Sequence, residues 1–390
     1  MKVILYEWCC SGGLRGPDAR CLSTAGAYGT EAGVPTEMAE APAPTAMGEA
    51  PAPTVMAEAV AMLRGLAQDA ARDPELEVTV LVDAELPQPV WDAVAGHAAG
   101  RIRRVPAGHE IDALVAEAAR ADWAIVVAPE TAGLLASRVE AVRRAGGRPA
   151  ACGPRFIRIA GDKQATATAL AAAGVPVPAG RVLAAGEPLP AGFHLPAVCK
   201  ACDGVGGDGL AIIRSREEAL AVVPTPRRAE AFVPGMPVGV SCLCGPAGIF
   251  PLPPVRQRFT AGPRPTYQGG AVVGRAPWRR RAESLATRSI AAVMHAAGGH
   301  GGTSGHGGEA AAGWVGVDMV LGADEDGGGD RVLEVNPRLT TSFVGLAAGR
   351  TASLVRLLLD AAAGGTITVP TGGDGAIEFD ASGTARCGDG

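Results

Sequence analysis

The 390-residue sequence lacks any excess of basic residues: 35 Lys and Arg stand against 40 Asp and Glu, which gives a formal net charge of -5. Proteins that bind nucleic acid or anionic membranes usually carry a positive field, so neither partner is expected. The sequence also lacks an apolar run near the roughly 18 residues of a membrane span. Glu7 and Cys9 interrupt the start too early for a signal peptide. These absences predict a cytoplasmic protein.

Cysteine is present but lacks the pattern of a disulfide framework or a zinc site. The nine cysteines are odd in number and scattered, and a chain of this length does not need disulfides for stability. Cys199-x-x-Cys202 and Cys242-x-Cys244 could supply four zinc ligands, but their positions alternate like those of core residues in strands. The six histidines show no metal-ligand spacing either. We therefore predict reduced thiols and no zinc site.

The sequence has no Gly-x-x-x-x-Gly-Lys-Ser/Thr string, which excludes a P-loop. Residues 204–209 (GVGGDG) match the dinucleotide fingerprint, but an apolar strand pattern follows them where that fingerprint requires a helix. A glycine-rich hairpin can instead act as a flap whose backbone N–H groups close over phosphates. Lys200, just before the loop, would bring an ammonium group to those phosphates. The alternative is an exposed hairpin without a ligand.

Two carboxylates, an amide and a guanidinium fall close together near the end of the chain. Glu334 and Asn336 share one face of a predicted strand, and Asp318 lies on the predicted strand before it. Hard oxygen ligands of this kind suit a nucleotide-bound magnesium ion better than zinc. Arg338 would neutralise charge on a transferred group. The alternative interpretation is a hairpin with surface acids and a proline stop.

A strand also ends in a Pro-Gly break at residues 230–235 (EAFVPG). The break lies between two predicted units, which is the position of a hinge. A planar base could bind there, between apolar side chains and backbone polar groups. An ordinary strand end is the alternative.

The order of predicted elements divides the chain into three units and a tail. Residues 1–155 alternate strand and helix, which predicts an α/β domain with a parallel sheet covered by helices on both faces. Residues 156–235 are predicted to form a small α+β unit that carries the glycine flap. Residues 236–365 are predicted to form a second α+β unit with the metal motif. No pattern is assigned to the tail, residues 366–390.

Residues 35–56 repeat with a nine-residue period, visible at 36–40, 45–49 and 54–58. Two copies of an Ala-Pro-Ala-Pro linker accompany the repeat, which predicts a mobile, low-complexity insertion without a chemical role. The Gly-rich segment 298–313 is predicted to be a surface loop.

Taken together, Asp162-Lys163 at a helix start, Lys200, the hinge, Asp318 and the 334–338 string resemble ATP-grasp ligases in order and spacing, over roughly residues 1–364. The resemblance implies an ATP-grasp fold: an N-terminal Rossmann-like (pre-ATP-grasp) domain, a small central α+β subdomain and a C-terminal α+β subdomain, with ATP held between the last two. By the same resemblance, Arg338 and Lys200 are expected to have catalytic roles. Mg²⁺ (or Mn²⁺) is expected to bind Asp318, Glu334 and Asn336. The residues expected to contact ATP are Lys163, Lys200, Gly204, Gly206, Gly207, Gly209, Glu230, Phe232 and Val233.

Two further strings resemble tyramine–L-glutamate ligase of methanofuran-type cofactor assembly: residues 6–13 (YEWCCSGG), and 253–258 (PPVRQR) with 267–270 (YQGG). The resemblance implies that the substrate carboxylate is held by Arg256, Gln257 and the turn at Gly269 and Gly270. The other side of the pocket would then be closed by Ser11, Gly12 and Gly13. The alternatives are a plain turn for the first string and solvent-facing strand positions for the second.

What the resemblance implies chemically is a carbon–nitrogen ligase that converts a carboxylate to an acyl phosphate and joins it to an amine. The specific expectation is the γ-carboxyl of L-glutamate and tyramine or a related aromatic amine, with ATP and Mg²⁺. The resemblance also implies a homodimer. The alternatives are an ATP-grasp ligase for another amino acid or a peptide, and a nucleotide-binding regulatory protein without turnover.

Overall fold

The structure is a computed structural model that describes residues 1–19, 53–95, 100–204, 210–220, 225–273, 276–298, 310–369 and 377–387. The predicted parallel sheet is present in the first domain, in the order β3-β2-β1-β4. Its central strand begins K-V-I-L-Y, and all but its first residue are buried, as expected for a parallel strand covered on both faces. The strands are β1 (Lys2–Glu7), β2 (Glu77–Asp83), β3 (Arg101–Val105) and β4 (Trp123–Val127).

The helices of the first domain lie between and after these strands. The first of them begins in the last copy of the nine-residue repeat, and the earlier copies lie outside the described residues. The helices are α1 (Pro53–Ala70), α2 (Gln88–Ala95), α3 (Glu110–Ala118) and α4 (Leu134–Arg144), and a short 3-10 turn (Thr131–Gly133) follows β4. None of the described helices is long and apolar enough to cross a membrane.

The central unit is an antiparallel sheet in the order β5-β8-β6-β7. It has a small hydrophobic core of its own, built around Leu183, Cys199 and Ala229. This core gives the short segment a hydrophobic centre separate from that of the larger units. Its elements are β5 (Gly180–Leu183), β6 (Ala197–Ala201), β7 (Ala211–Ile213), α7 (Arg216–Ala219) and β8 (Arg227–Ala231), preceded by α5 (Pro154–Gly161) and α6 (Lys163–Ala172).

The C-terminal unit is an eight-stranded antiparallel sheet in the order β14-β13-β9-β11-β12-β15-β16, with β10 paired to β9. Its buried residues belong to the same hydrophobic cluster as those of the first domain. The strands are β9 (Met236–Gly245), β10 (Gly248–Pro251), β11 (Val255–Phe259), β12 (Tyr267–Val272), β13 (Gly313–Leu321), β14 (Arg331–Asn336), β15 (Ile377–Phe379) and β16 (Ala385–Cys387); the helices are α8 (Arg279–Ala296), α9 (Ser342–Ala348) and α10 (Leu354–Ala362).

The tail differs from the prediction, which assigned no secondary structure to residues 366–390. Its strands β15 and β16 form a hairpin that extends the large sheet, with Phe379 paired to Gly270 of β12. Strands of three residues are too short for alternation to be recognised, which is why the pattern was missed.

Helix α1 belongs to the first domain by sequence, but its polar side chains bind the C-terminal unit. Buried Asp69 accepts hydrogen bonds from the Ser353 hydroxyl (2.9 Å) and the Val355 N–H (2.7 Å) at the start of α10. Arg72 donates to the carbonyl of Ala347 (2.7 Å) at the end of α9. Arg64 donates to the Gly383 carbonyl of the tail hairpin (3.1 Å). The first and C-terminal units are therefore joined along this helix.

Replacing Asp69 by Ala should lower the free energy of unfolding by about 2 kcal/mol, because the buried donors of Ser353 and Val355 would lose their acceptor. Asp69→Asn should cost less, since one amide oxygen can still accept both hydrogen bonds. Urea unfolding measures the loss. The control is Asp360→Ala, whose ion pair with Arg356 on α10 is half-exposed and should contribute below about 1 kcal/mol. Equal losses for Asp69→Ala and Asp360→Ala would contradict the capping role of Asp69.

Candidate active site

A cavity of about 380 Å³ lies where the central sheet, the C-terminal sheet and helix α1 meet. All three units contribute to its walls. Most residues singled out from the sequence line it: Lys163, Lys200, Gly204, Glu230, Phe232, Val233, Gln257, Asp318, Glu334, Asn336 and Arg338. Gly206, Gly207 and Gly209 of the glycine flap lie outside the described residues.

The acidic pair forms one wall of the cavity because β13 and β14 are antiparallel neighbours. Asp318 is the direct partner of Glu334, so the two carboxylates lie side by side on one face of the sheet. Asn336 donates through its amide nitrogen to Asp318 (2.8 Å), and Gln257 of β11 donates to the other oxygen of the same carboxylate (2.7 Å). Four side chains from three strands thus converge on one point.

The pKa values of these two carboxylates are shifted in opposite directions. Burial, reinforced by the charge of Glu334, raises the pKa of Asp318 to about 7. Burial would also raise the pKa of Glu334, but Lys163 and Lys200 hold it below its ordinary value. Ionisation of Glu334 therefore disfavours ionisation of Asp318. A bound cation would relieve the repulsion between the two carboxylates.

The donors fit the magnesium ion that the family resemblance implies. They are two carboxylates and the amide oxygen of Asn336, whose nitrogen is already directed at Asp318. Hard oxygen donors of this kind suit Mg²⁺. Within the part of the chain that the structure describes, no three His, Cys, Asp or Glu side chains converge as a metal site. The buried thiols of Cys242 and Cys244 pack in β9 as core residues.

Lys163 connects the acidic pair to the start of the flap. It is the first residue of α6, whose N-terminus is capped by Asp162 accepting from the N–H groups of Gln164 and Ala165 (both 2.8 Å). The Lys163 ammonium donates to the Gly204 carbonyl (2.6 Å) and lies 3.6 Å from a carboxylate oxygen of Glu334. The cap fixes the helix start and therefore the position of this cation.

Lys200 belongs to a buried ion network of the central sheet. Its ammonium lies 2.7 Å from one carboxylate oxygen of Glu230, and Arg228 lies 3.1 Å from the other. Lys200 also donates to the Leu333 carbonyl (3.1 Å), next to the acidic pair. Both oxygens of Glu230 contact cations, so its carboxylate positions Lys200, and an adenine contact by this residue stays a prediction.

The hinge borders the cavity where β8 ends. The Phe232 N–H donates to the Pro196 carbonyl (3.1 Å), and its side chain is partly exposed beside Val233. Gly235 has φ of 151°, and a Cβ there would lie 2.4 Å from the Leu321 carbonyl oxygen. Only glycine fits this close approach of the hinge to β13.

Arg338 lies where the cavity meets the first domain. Its guanidinium is 2.6 Å from Glu130, which follows β4, and donates to the Leu339 carbonyl (3.2 Å). Burial opposes the charge, but Glu130 raises the pKa of Arg338. The cation is thus held in place by a carboxylate of another domain. Nothing in the sequence signalled Glu130, because its partner is 208 residues away.

The structure places the predicted substrate residues in two groups. Gln257 lines the cavity, whereas the exposed Arg256 alternates to the other face of β11. The remaining predicted residues, Ser11, Gly12, Gly13, Gly269 and Gly270, lie in packed turns and strands outside the described cavity lining.

These packed positions have structural causes. The Ser11 hydroxyl donates to the Leu81 carbonyl (2.8 Å) in the first domain, and a Cβ on Gly13 would overlap the Trp8 ring. A Cβ on Gly269 would lie 2.1 Å from the Phe379 carbonyl oxygen, and Gly270 pairs with Gln257. The substrate roles of these residues stay predictions.

Several lining residues were not selected from the sequence. Glu58 and Met62 come from helix α1, and Tyr267 comes from β12. Glu58 belongs to the last copy of the nine-residue repeat, so its low-complexity context concealed it. Four residues with hydroxyl side chains also line the cavity: Ser241, Thr340, Thr341 and Ser342.

Comparisons with known proteins agree with this architecture. Residues 160–305 match the family described as ATP-grasp domain, and residues 76–157 match the family described as pre ATP-grasp 3 domain. No curated protein matched the sequence. The expected fold, with its pre-ATP-grasp domain and mixed parallel and antiparallel sheets, is confirmed.

Solved structures show the same fold at low sequence identity. A protein assigned to the ATP-grasp superfamily from Archaeoglobus fulgidus is 19% identical with a TM-score of 0.60, over 97% of this chain and 92% of that chain. An N5-carboxyaminoimidazole synthetase from Staphylococcus aureus is 15% identical with a TM-score of 0.60, over 82% and 79%. An L-amino acid ligase from Bacillus licheniformis is 18% identical with a TM-score of 0.56, over 76% and 71%.

Replacing Glu230 by Gln should destabilise the protein by about 3 to 5 kcal/mol, because two buried cations would then lose their counterion. Chemical denaturation measures the change. The matched control is Glu187→Gln in the same subdomain, whose ion pair with Arg181 is largely exposed and should contribute below about 1 kcal/mol. A loss no larger for Glu230→Gln than for Glu187→Gln would show that the buried network does not support the sheet.

Proposed function

We propose that this chain, in which a pre-ATP-grasp domain precedes an ATP-grasp domain, is an ATP-dependent carboxylate–amine ligase. The observation that carries the proposal is the convergence of Asp318 and Glu334 with Lys163, Lys200 and Arg338 in one cavity beside the hinge. A protein that only binds a nucleotide does not need this set of phosphoryl-transfer groups. The alternative of a nucleotide-binding regulatory protein without turnover is therefore disfavoured.

ATP would lie along the cavity from the hinge to the acidic pair. Phe232 and Val233 supply apolar surface for the base at the hinge, and Lys163 and Lys200 supply cations for the phosphates. Asp318, Glu334 and Asn336 would hold the magnesium ion that accompanies the nucleotide. When bound, that ion offsets negative charge on the phosphoryl oxygens. Gln257 and Asn336 orient the Asp318 carboxylate for this purpose.

The reaction has two steps. A carboxylate oxygen of the first substrate attacks the γ-phosphorus of ATP, the bond to the β-phosphate oxygen breaks, and an acyl phosphate and ADP result. An amine nitrogen then attacks the acyl carbon, the bond to the phosphate oxygen breaks, and phosphate leaves with the electron pair while the nitrogen loses its extra protons. Arg338, held by Glu130, stabilises the negative charge that develops on the transferred group.

For the substrates we propose L-glutamate, through its γ-carboxyl, and tyramine or a related aromatic amine, as in methanofuran-type cofactor synthesis. Two observations support this choice: the resemblance of residues 253–258 and 267–270 to tyramine–L-glutamate ligase, and the presence of Gln257 and Tyr267 of those strings in the cavity. Another amino acid or a peptide in place of glutamate is the second possibility, and substrate screening separates the two.

The test is ADP release by the purified protein with ATP and Mg²⁺, with L-glutamate and tyramine supplied separately and together, followed by the mass of the product. We expect ADP only with both substrates and a product equal to their sum less one water. ADP release with a different carboxylate or amine would replace the substrates but keep the reaction. Nucleotide binding without turnover across carboxylates and amines would reject the ligase.

Glu334→Gln should lower ATP turnover by about 100-fold or more, because the acidic pair would keep only one ionisable carboxylate for the cation. Steady-state ADP release measures the loss, and circular dichroism should show an unchanged fold. The control is Glu378→Gln, an exposed carboxylate on β15 of the same sheet, which should keep wild-type turnover. Unchanged turnover in Glu334→Gln would rule out the assigned metal site.

A further inference from the structure

Helix α1 presents one carboxylate to the cavity from a fixed position. The C-terminal half of the helix is held by Asp69, which caps α10, and by Arg64, which binds the tail hairpin. Gly65, between them, packs against α9: a Cβ placed there would lie 3.6 Å from the Phe343 ring, an ordinary contact distance. Glu58 lies on the same helix, about three turns before Asp69, and lines the cavity. Its carboxylate is therefore held at the wall by a packed helix.

The surroundings of Glu58 differ from the nucleotide end of the cavity. Met62 lies one turn further along the same helix face, and Tyr267 contributes an aromatic surface that packs edge-to-face on Phe259 with ring centroids 5.7 Å apart. Hydroxyl groups continue the wall, with Ser342 2.9 Å from Ser241. This end combines one carboxylate with apolar, aromatic and hydroxyl surface.

The electrostatic interactions place Glu58 close to the reacting groups. Burial raises the pKa of Tyr267, and the charges of Asp318 and Glu58 raise it further. Glu58 is also among the carboxylates that raise the pKa of Arg338, against the effect of burial. Glu58 therefore lies near enough to both Arg338 and Tyr267 for its charge to act on them.

We propose that Glu58 forms the amine subsite of the ligase and binds the ammonium group of the second substrate, with Met62 and Tyr267 contacting its organic body. The inference rests on the function proposed above and extends it to the nucleophile. The phosphoryl end is lined by the cations Lys163, Lys200 and Arg338, which suit phosphates and a carboxylate but repel an ammonium. The carboxylate of Glu58, on the wall formed by helix α1, provides the opposite charge.

The subsite also has a role in the chemistry. An ammonium must lose one proton before its nitrogen can attack the acyl carbon. The Glu58 carboxylate takes up that proton and passes it to solvent, and the second proton leaves the nitrogen as phosphate departs. A primary amine on an apolar or aromatic body therefore fits this site, whereas a second carboxylate beside the nitrogen would meet repulsion from Glu58.

The two steps of the reaction can be measured separately in Glu58→Gln. Positional isotope exchange in ATP labelled at the β,γ-bridge, with Mg²⁺ and L-glutamate but no amine, reports formation of the acyl phosphate. Amide formation at varied tyramine concentration reports the amine step. We expect exchange within about 2-fold of wild type, and kcat/KM for tyramine reduced about 10- to 100-fold, as for loss of a charged hydrogen bond. Glu58→Asp should recover part of this loss.

The control is Glu77→Gln, an exposed carboxylate on β2 of the same domain, which should change neither step. A Glu58→Gln protein with unchanged kcat/KM for tyramine would overturn the proposal. Equal losses in exchange and in amide formation would also overturn it, since they would indicate a structural role for Glu58.

A binding experiment separates this proposal from the ligase assignment itself. If the wild-type protein shows no exchange and no ADP release with any substrate pair, the proposed function fails, but calorimetry still tests the subsite. With a non-hydrolysable ATP analogue and Mg²⁺, tyramine should bind the wild type about 10-fold or more tighter than uncharged 4-ethylphenol. Glu58→Gln should abolish that preference. No preference in the wild type, or an unchanged preference in Glu58→Gln, would overturn the amine subsite.

Discussion

The cavity is organised around the contact between Asp318 and Glu334, two carboxylates that repel each other. The pairing of β13 with β14 forces them together, and burial adds to the cost of charging both. Such a contact persists only because the surrounding fold determines it: Lys163 compensates one carboxylate, and Gln257 and Asn336 donate to the other. The contact is electrostatically unfavourable by itself, and the magnesium ion that we propose for this site would relieve the repulsion.

The neighbouring units are arranged to support this pair. The central sheet delivers Lys200 through its buried pairing with Glu230, and the first domain holds Arg338 through Glu130. Lys200 and Arg338 each have a carboxylate behind them, so their positions do not depend on a ligand. Lys163 instead lies beside Glu334 of the acidic pair. Preorganisation of this kind reduces the rearrangement that charge transfer would otherwise require. The cavity therefore needs all three units, although its acidic pair comes from one.

The sequence predicted those features that are local in the chain. Asp318, Glu334 and Asn336 follow from strand alternation over a single hairpin, and the parallel sheet follows from the order of strands and helices. Alternation could not decide between Arg256 and Gln257, because β11 has no apolar face clear enough to set its register. Glu130 and Glu58 were missed because only tertiary packing brings Glu130 to Arg338 and Glu58 to the cavity. The nucleotide-contacting residues were predicted from the family resemblance. That resemblance did not indicate that Glu230 forms ion pairs with two cations.

Glu58 belongs to the last copy of the nine-residue repeat, and it lies on a packed helix that lines the cavity. Residues 20–52 precede α1, and the entropy of closing a connection rises by only about 0.6 kcal/mol for each doubling of its length. Lengthening this connection therefore costs little, provided that the helix after it is anchored independently. Asp69 and Arg72 provide that anchor at the far end of α1. Because these anchors follow the repeat in the sequence, the described contacts that hold α1 come from residues after the last repeat copy.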